Sequence, residues 1–207
     1  MYLNPLALHR PDGWYARAVQ QRTIVYAFID ASNLWAAQKA KGKSFDYVKL
    51  TQYIRAHFKA DSLRVFYYTA YPADGTRSYN LDARHKFYFF LKQALGFEIR
   101  KKVLKRISIV SEHGERIQEK GNMDVELTID ALHHLSKYAI AVLFTGDSDF
   151  LALVSYLRSA GKKVYIFSSK NNISQELRTG ADGYLDVLRI DEDIWGKELR
   201  HREEKAT

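Results

Sequence analysis

The sequence predicts an α/β protein with a mainly parallel central sheet. Short runs rich in β-branched and aromatic residues alternate with longer segments whose apolar residues recur at helical spacing. Two of the runs, 23–29 and 139–144, are almost wholly apolar, which is typical of central strands covered on both faces. Each of these two runs leads into an aspartate-bearing turn and then into a helical pattern. This order of elements indicates a doubly wound α/β sheet in one domain.

The remaining elements follow from the same two periodicities and from turn residues between them. The predicted order is strand 23–29, helix 34–41, helix 46–58, strand 63–71, a turn at 72–75, helix 79–95, strand 97–99, a hairpin between 107–110 and 116–118, helix 124–138, strand 139–144, helix 150–157, strand 163–167, helix 174–179 and strand 184–188.

Capping and stop residues set the predicted limits of the helices. Asp46 and Ser174 precede helical patterns, and such residues accept hydrogen bonds from the first amide groups of a helix. Gly42, Gly96 and Gly161 follow helical patterns, where a glycine commonly ends a helix.

Helices 79–95 and 124–138 each have apolar residues at the spacing of one helix side, and we expect that side to be buried. These inward residues are Phe87, Phe90, Leu91 and Leu95 in the first helix, and Val125, Ile129, Leu132 and Leu135 in the second.

The ends of the chain differ in character from its centre. Residues 1–21 show no clear periodicity and are predicted to form an irregular arm before a domain at 22–190. Residues 191–207 are charged, contain Trp195 and are predicted to form a C-terminal tail with a loosely docked helix.

Composition limits the class of protein. The chain of 207 residues is 46% hydrophobic, enough for one sizeable core. It has no cysteine, which excludes disulfides and thiolate metal sites and agrees with a reducing compartment. No apolar run approaches the roughly 20 residues of a membrane span, and the first residues lack the pattern of a signal peptide. We therefore expect a cytoplasmic protein without a membrane segment.

Positive charge predominates, with 32 Lys and Arg against 24 Asp and Glu and a formal net charge of +8. A basic protein that nevertheless places acids at its strand ends suggests a polyanionic partner that approaches a metal site. A basic run follows the strand at 97–99 and is a candidate for steering phosphates. An ordinary solvated charge run is the alternative interpretation. The run comprises Arg100, Lys101, Lys102, Lys105 and Arg106.

Aspartates from separate segments are predicted to meet at one edge of the sheet. Asp30 and Asp147 each stand at the carboxyl end of a buried run, where ligands bind in open parallel sheets. Asp124 begins the helix that joins two parallel strands, so it lies on the same edge. Converging carboxylates repel one another, so a cation or a shared proton is the natural compensation. If a cation is bound, a set of carboxylates alone favours Mg²⁺ or Mn²⁺. The alternative for each aspartate is a helix cap.

The ordered set of motifs resembles the NYN domains of the PIN-like nuclease superfamily, in the LabA-like group. The matching pieces cover roughly 22–190 and include Phe28-Ile-Asp30-Ala-Ser-Asn33, Lys120-Gly-Asn-Met-Asp124-Val-Glu-Leu-Thr-Ile-Asp130 and Thr145-Gly-Asp147-Ser-Asp149-Phe150. The resemblance implies a Rossmann-like, PIN-type three-layer sandwich, a divalent-metal site and RNA cleavage. One departure is the pair Asn122-Met123, where relatives often have a single residue, and it shifts Lys120 relative to Asp124.

The same resemblance implies the roles of individual residues. Asp30, Asp124 and Asp147 match the core acids that hold the metal, and Asp149 matches a fourth catalytic acid, an outer ligand or a base. Asn33 and Asp130 match accessory positions. Lys120 joins the basic run as a candidate RNA-binding residue.

The function expected from these observations is that of a metal-dependent ribonuclease acting on single-stranded RNA. The alternative is an RNA-binding regulator that keeps the fold with an impaired site. A phosphatase needs Asp-x-Asp on the first strand, and a Toprim nuclease needs glutamate there. Asp30-Ala-Ser32 fits neither pattern. The sequence leaves the oligomeric state open, a homo-oligomer included.

Overall fold

The computed structural model describes residues 22–72, 81–111 and 114–199. The described strands are β1 (Ile24–Asp30), β2 (Lys43–Phe45), β3 (Ser62–Tyr71), β4 (Glu98–Val103), β5 (Lys105–Ser111), β6 (Gly114–Lys120), β7 (Ile140–Phe144), β8 (Lys163–Ser168), β9 (Gly183–Asp186) and β10 (Trp195–Glu198). The described helices are α1 (Ala31–Lys41), α2 (Tyr47–Phe58), α3 (Leu81–Gln93), α4 (Asp124–His133), α5 (Leu151–Ser159) and α6 (Gln175–Gly180).

A six-stranded parallel sheet in the order β4-β3-β1-β7-β8-β9 forms the centre of the domain. Strand β1 lies between β3 and β7, and its residues from Val25 to Ile29 are buried, as expected for a strand covered on both faces. Because all six strands run in one direction, their carboxyl ends meet at one edge. The predicted α/β fold with a mainly parallel sheet is confirmed.

Two apolar cores cover the two faces of the sheet and give the predicted three layers. One core contains side chains from α1, α2 and α3, such as Leu34, Leu50 and Leu91. The other contains side chains from α4, α5 and α6, such as Leu127 and Val154. The strands supply alternate residues to each core, which is the period of a pleated sheet.

Most helix limits agree with the capping residues in the sequence. The carboxylate of Asp46 accepts hydrogen bonds from the amides of Val48 and Lys49, and the hydroxyl of Ser174 accepts one from the amide of Leu177. Gly42 ends α1 at φ 76°, in the left-handed region that favours glycine. The hairpin of β5 and β6 is confirmed as well.

The predicted buried side of α4 is wrong. Val125 and Ile129 are 63% and 58% exposed, whereas Leu127 and Ala131 pack against the sheet. Leu132 is also exposed, and Leu135 lies beyond the helix in a 3₁₀ turn, half-buried against the core. Apolar residues occur on two sides of this segment, so helical periodicity fits either side. The burial of Leu127 and Ala131 in the core shows which of the two sides packs on the sheet.

Helix α3 and strand β4 differ in detail from the prediction. Phe90 is 42% exposed rather than inward, while Leu91 is buried, and the helix ends at Gln93. Most of the predicted turn at 72–75 lies outside the described residues. Strand β4 continues to Val103, so the basic run begins inside an edge strand instead of after it.

The predicted C-terminal helix is wrong over residues 191–199, whereas residues 200–207, like the predicted arm at 1–21, lie outside the described residues. Residues Trp195–Glu198 form β10, which pairs antiparallel with β2 in a second, two-stranded sheet. Trp195 is 1% exposed, its ring stacks on Phe45 at 4.4 Å between centroids, and its indole N–H donates to the carbonyl of Ile190. Strands of three and four residues are too short to show alternation in the sequence. Ile194 and Trp195 are both buried, and the high charge of the surrounding residues hides them in the sequence pattern.

Among the described residues, no helix has both the length and the apolar character needed to cross a membrane.

Candidate metal centre

A cavity of about 480 Å³ opens at the carboxyl edge of the sheet. Asp30 reaches it from the end of β1, Asp124 from the start of α4, and Asp147 and Asp149 from the turn after β7. Parallel strands place these separate segments side by side, as the topology of an open α/β sheet requires. The convergence of all four predicted catalytic acids on one cavity follows directly from the strand order.

Three of these acids are close enough to share one cation. Carboxylate oxygens of Asp124, Asp147 and Asp149 lie within 4.8 Å of one another. The set offers oxygen donors alone, and two of its members are exposed to solvent. Hard oxygen ligands with open positions suit Mg²⁺ or Mn²⁺, which keep several waters when bound to proteins. The residues present therefore fit the implied cation.

Asp30 lies beside this trio and is held differently. Its carboxylate caps α1, accepting hydrogen bonds from the amide and hydroxyl of Ser32 at 2.9 and 2.8 Å. Burial raises the pKa of Asp30, while its hydrogen bonds with Ser32 and Asn33 lower it and the charge of Asp147 raises it further. Asp30 thus adds a fourth carboxylate to the wall of the cavity from a fixed position.

Mutual repulsion is visible at Asp124. Burial raises the pKa of this carboxyl first, and the charges of Asp147, Asp30 and Asp149 then raise it in that order. Its oxygen also accepts a hydrogen bond from the side-chain amide of Asn122 at 2.6 Å. A carboxylate surrounded by like charges is one that a cation stabilises.

Asp147 caps a helical turn, which is one of the interpretations that the sequence allowed, and it also belongs to the group of three carboxylates. Its carboxylate caps the 3₁₀ turn at 148–150 by accepting the amide of Asp149 at 3.0 Å. Gly146, just before it, passes so close to the chain that an added Cβ would lie 2.1 Å from the carbonyl oxygen of Asn172. Only glycine fits there. Capping and close packing together fix the direction of the Asp147 side chain.

Asn33 lines a second cavity of about 310 Å³, which shares Asp30, Ser32 and Asp147 with the first. It is 4% exposed, and its carbonyl oxygen accepts hydrogen bonds from Ser168 and Asn172 at 2.9 and 3.2 Å. Its side-chain N–H₂ is buried and has no partner among the described residues. An unpaired buried donor is costly, so this N–H₂ is available for an acceptor on a ligand.

Asp130 lies away from the four acids. Its carboxylate accepts hydrogen bonds from the Tyr68 hydroxyl at 3.0 Å and from two nitrogens of Arg100 at 2.9 and 3.2 Å. Asp130 follows Asp124 by six residues, more than one and a half turns of α4, so its side chain lies near β4 at the edge of the sheet. Within the described residues, it therefore joins α4 to two strands.

The basic residues divide into engaged and exposed groups. Arg100 is engaged by Asp130 and Glu98, and Lys102 donates to Glu126 at 2.8 Å. Lys101, Lys105 and Arg106 are exposed. The strand alternation of β4 explains why Lys101 points away from its two neighbours. Lys120 pairs with Lys105 in the backbone register of the hairpin, and its side chain lies outside the described residues.

The sequence pattern did not identify two residues that line the cavity of the acids. Ser32 holds Asp30, and Trp35 is half-exposed on the wall of the cavity that contains the acids. Helical spacing could have identified Trp35, because it follows Ala31 by four residues and lies on the same side of α1, and Ala31 also lines the cavity.

A family model, a sequence relative and a solved structure each match most of this chain. A sequence model of the NYN domain family matches residues 24–190. The low amplitude and bright protein LabA of Synechococcus elongatus is 29% identical over 163 residues, covering 79% of this chain and 83% of that protein. A crystal structure of a protein of unknown function from Vibrio parahaemolyticus superimposes with a TM-score of 0.64 at 22% identity. It covers 85% of this chain and 98% of the other, and at this identity it shows the fold alone.

Proposed function

We propose that this chain, which belongs to the NYN domain family, a PIN-like nuclease family, is a divalent-metal-dependent ribonuclease acting on single-stranded RNA. The observation on which the proposal depends is the approach of Asp124, Asp147 and Asp149 within 4.8 Å at the carboxyl edge of the sheet. Three like charges at this distance repel one another. The set gains most when a cation neutralises them.

Each acid has a proposed role. Asp124, Asp147 and Asp149 hold the cation, and Asp30 adds a fourth carboxylate from the end of β1. A cation bound there supplies the positive charge that stabilises the phosphate as its phosphodiester bond is hydrolysed. Asp30 stands outside the three proposed ligands and is proposed to accept the proton that the attacking water releases, since burial raises its pKa.

Exposed cations are proposed to draw the RNA backbone toward this edge. Lys101, Lys105 and Arg106 remain open to solvent near the carboxyl end of the edge strand and in the hairpin that follows it. Phosphate contacts of this kind position a strand without reading its sequence. The excess of positive charge over the whole chain acts in the same direction.

The second candidate is an RNA-binding regulator that does not cut. One observation favours it: Asp30 and Asp147 both cap helical turns, so these residues have a structural role that does not depend on turnover. The fold and the binding surface would then persist without hydrolysis.

Cleavage of end-labelled single-stranded RNA by the purified protein in millimolar Mn²⁺ separates the two functions. We expect wild-type protein to produce fragments and EDTA to stop the reaction. Asp147→Asn should lose at least about a hundredfold in rate, within the range that removal of one electrostatic contribution produces. Glu176→Gln is the matched control, because it removes one exposed carboxylate on α6 outside the cavity. Tight RNA binding without fragments would favour the regulator.

A further inference from the structure

The large aromatic side chain of Trp35, on α1, is only half-buried. It is 51% exposed, although its neighbour in the sequence Leu34 is 1% exposed and packs in the core. The other tryptophan in the described residues, Trp195, is fully covered. An exposed indole forgoes the free energy that burial would supply, and this one lines the cavity that contains the acids.

The indole lines the same cavity as the four acids. Trp35 follows Asp30 by five residues, and helical side chains lean back toward the N-terminus of their helix. This lean directs the ring toward the start of α1, where Asp30 stands. Trp35, Asp30 and Asp124 accordingly share one lining, together with the apolar side chains of Leu104 and Met123.

A cation accompanies the ring. The ammonium of Lys39, one turn further along α1, lies 5.9 Å from the centroid of Trp35. A flat aromatic face beside a flexible cation is the combination by which proteins bind a base and the phosphate next to it in single-stranded nucleic acid. The acids, on the other part of the lining, mark where the scissile phosphate would lie.

We propose that Trp35 stacks on an unpaired nucleobase next to the scissile phosphate, with Lys39 contacting the following phosphate. The proposal rests on the ribonuclease function for its substrate class and makes Trp35 a positioning residue. Stacking requires a base that has left a duplex, so the site selects single-stranded RNA. Every base has a π-face, so the same contact is tolerant of sequence.

Tryptophan fluorescence tests the contact without depending on turnover. In a Trp14→Phe protein, emission comes from Trp35 and from the buried Trp195. Short single-stranded oligoadenylate is mixed with this protein in a stopped-flow instrument, in millimolar Mn²⁺ and separately in EDTA. We expect the oligoadenylate to quench the tryptophan emission immediately after mixing, either in Mn²⁺ or in EDTA. A duplex of equal length and a strand with abasic sites should quench far less, and the quenching should disappear in Trp14→Phe/Trp35→Phe.

Affinity provides the second measurement. Trp35→Ala should weaken single-strand binding by roughly 5- to 150-fold, the equivalent of about 1–3 kcal/mol for one stacked base. Trp35→Phe should retain most of the affinity. Tyr156→Ala is the matched control, since Tyr156 is an aromatic residue 53% exposed on α5 outside the cavity lining. Thermal melting of each variant checks that the fold is intact.

The outcomes separate this inference from the function on which it rests. Quenching by single strands without cleavage would sustain the stacking contact and overturn the nuclease. Cleavage with unchanged affinity in Trp35→Ala, or equal quenching by the abasic strand, would overturn the stacking contact and leave the nuclease. Absence of any RNA binding would overturn both.

Discussion

The guanidinium group of Arg100 donates two hydrogen bonds to the carboxylate of Asp130, at 2.9 and 3.2 Å. The hydroxyl of Tyr68, on a fully buried residue, donates to the same carboxylate at 3.0 Å. One side chain of α4 is thereby joined to β3 and β4. Two residues that sequence reasoning assigned to RNA binding and to an accessory site role are therefore engaged with each other.

Asp130→Ala should lower the free energy of unfolding by about 1–3 kcal/mol, because it leaves the buried Tyr68 hydroxyl without its acceptor. Urea denaturation measures this change. Cleavage per folded molecule should stay near the wild-type rate. A lost Mn²⁺ response with unchanged stability would instead assign Asp130 to the metal site.

Binding of single-stranded RNA should weaken steeply with salt. About four phosphate contacts give a slope of log K against log salt near −3. Changing Lys101, Lys105 and Arg106 together to Gln should make the slope shallower by about 2, without loss of stability, because all three are exposed. Fluorescence anisotropy of labelled RNA over a salt series measures the slope. Lys163→Gln, an exposed cation at the amino end of β8, is the control and should leave it unchanged.

Raising the pH should reveal the charge repulsion at Asp124 in the metal-free protein. A raised pKa means that the folded state binds the proton more tightly than the unfolded chain, whose aspartate value is 3.8. The contribution of Asp124 to stability is therefore complete below about pH 4 and is lost as pH rises through the folded pKa. Asp124→Asn should gain stability relative to wild type as the pH rises from about 4 through the raised pKa of Asp124, as measured by urea denaturation in EDTA.

Mn²⁺ should act in the opposite direction, because a cation binds the deprotonated carboxylates. The Mn²⁺-induced rise in wild-type melting temperature should grow over the same pH range. A stability difference between Asp124→Asn and wild type that is flat with pH would contradict the repulsion inferred at this carboxyl.

Asp147→Asn separates a metal ligand from a helix cap. Without metal, the variant should be as stable as wild type or more stable by roughly 0.5–2 kcal/mol, since it relieves repulsion and asparagine caps about as well as aspartate. Millimolar Mn²⁺ should raise the wild-type melting temperature, because a ligand that binds only the native state stabilises it. The variant should lose most of that rise. Equal thermal shifts in both proteins would remove Asp147 from the metal centre.

The sequence predicted the sheet and its acidic edge because both depend on local patterns. Buried parallel strands read as apolar runs, and a turn residue at the end of such a run stands at the carboxyl edge whatever its neighbours are. Asp30 and Asp147 could therefore be placed before any contact was known. Asp124 followed from the direction of a crossover helix.

The remainder depends on tertiary contacts that no local pattern records. Val125 and Ile129 face solvent because Leu127 and Ala131 fit the sheet better, a choice made by shape rather than period. Arg100 is paired because alternation in β4 directs it toward Asp130. Asp149 lies with the convergent oxygens because of the 3₁₀ turn that Asp147 caps.

The pairing of β2 with β10 has a consequence for the order of folding. The two strands are about 150 residues apart in the chain, and their contact covers Phe45 and Trp195. During synthesis from the N-terminus, Phe45 emerges long before its partner exists, so one face of the sheet stays incomplete until almost the whole domain has left the ribosome. Contacts between such distant segments slow folding, because a long loop must close before the contact forms. We therefore expect β10 to pair with β2 late in folding. Trp195→Ala should refold to a state in which this pair is not fully formed, and that state should bind more of a hydrophobic dye.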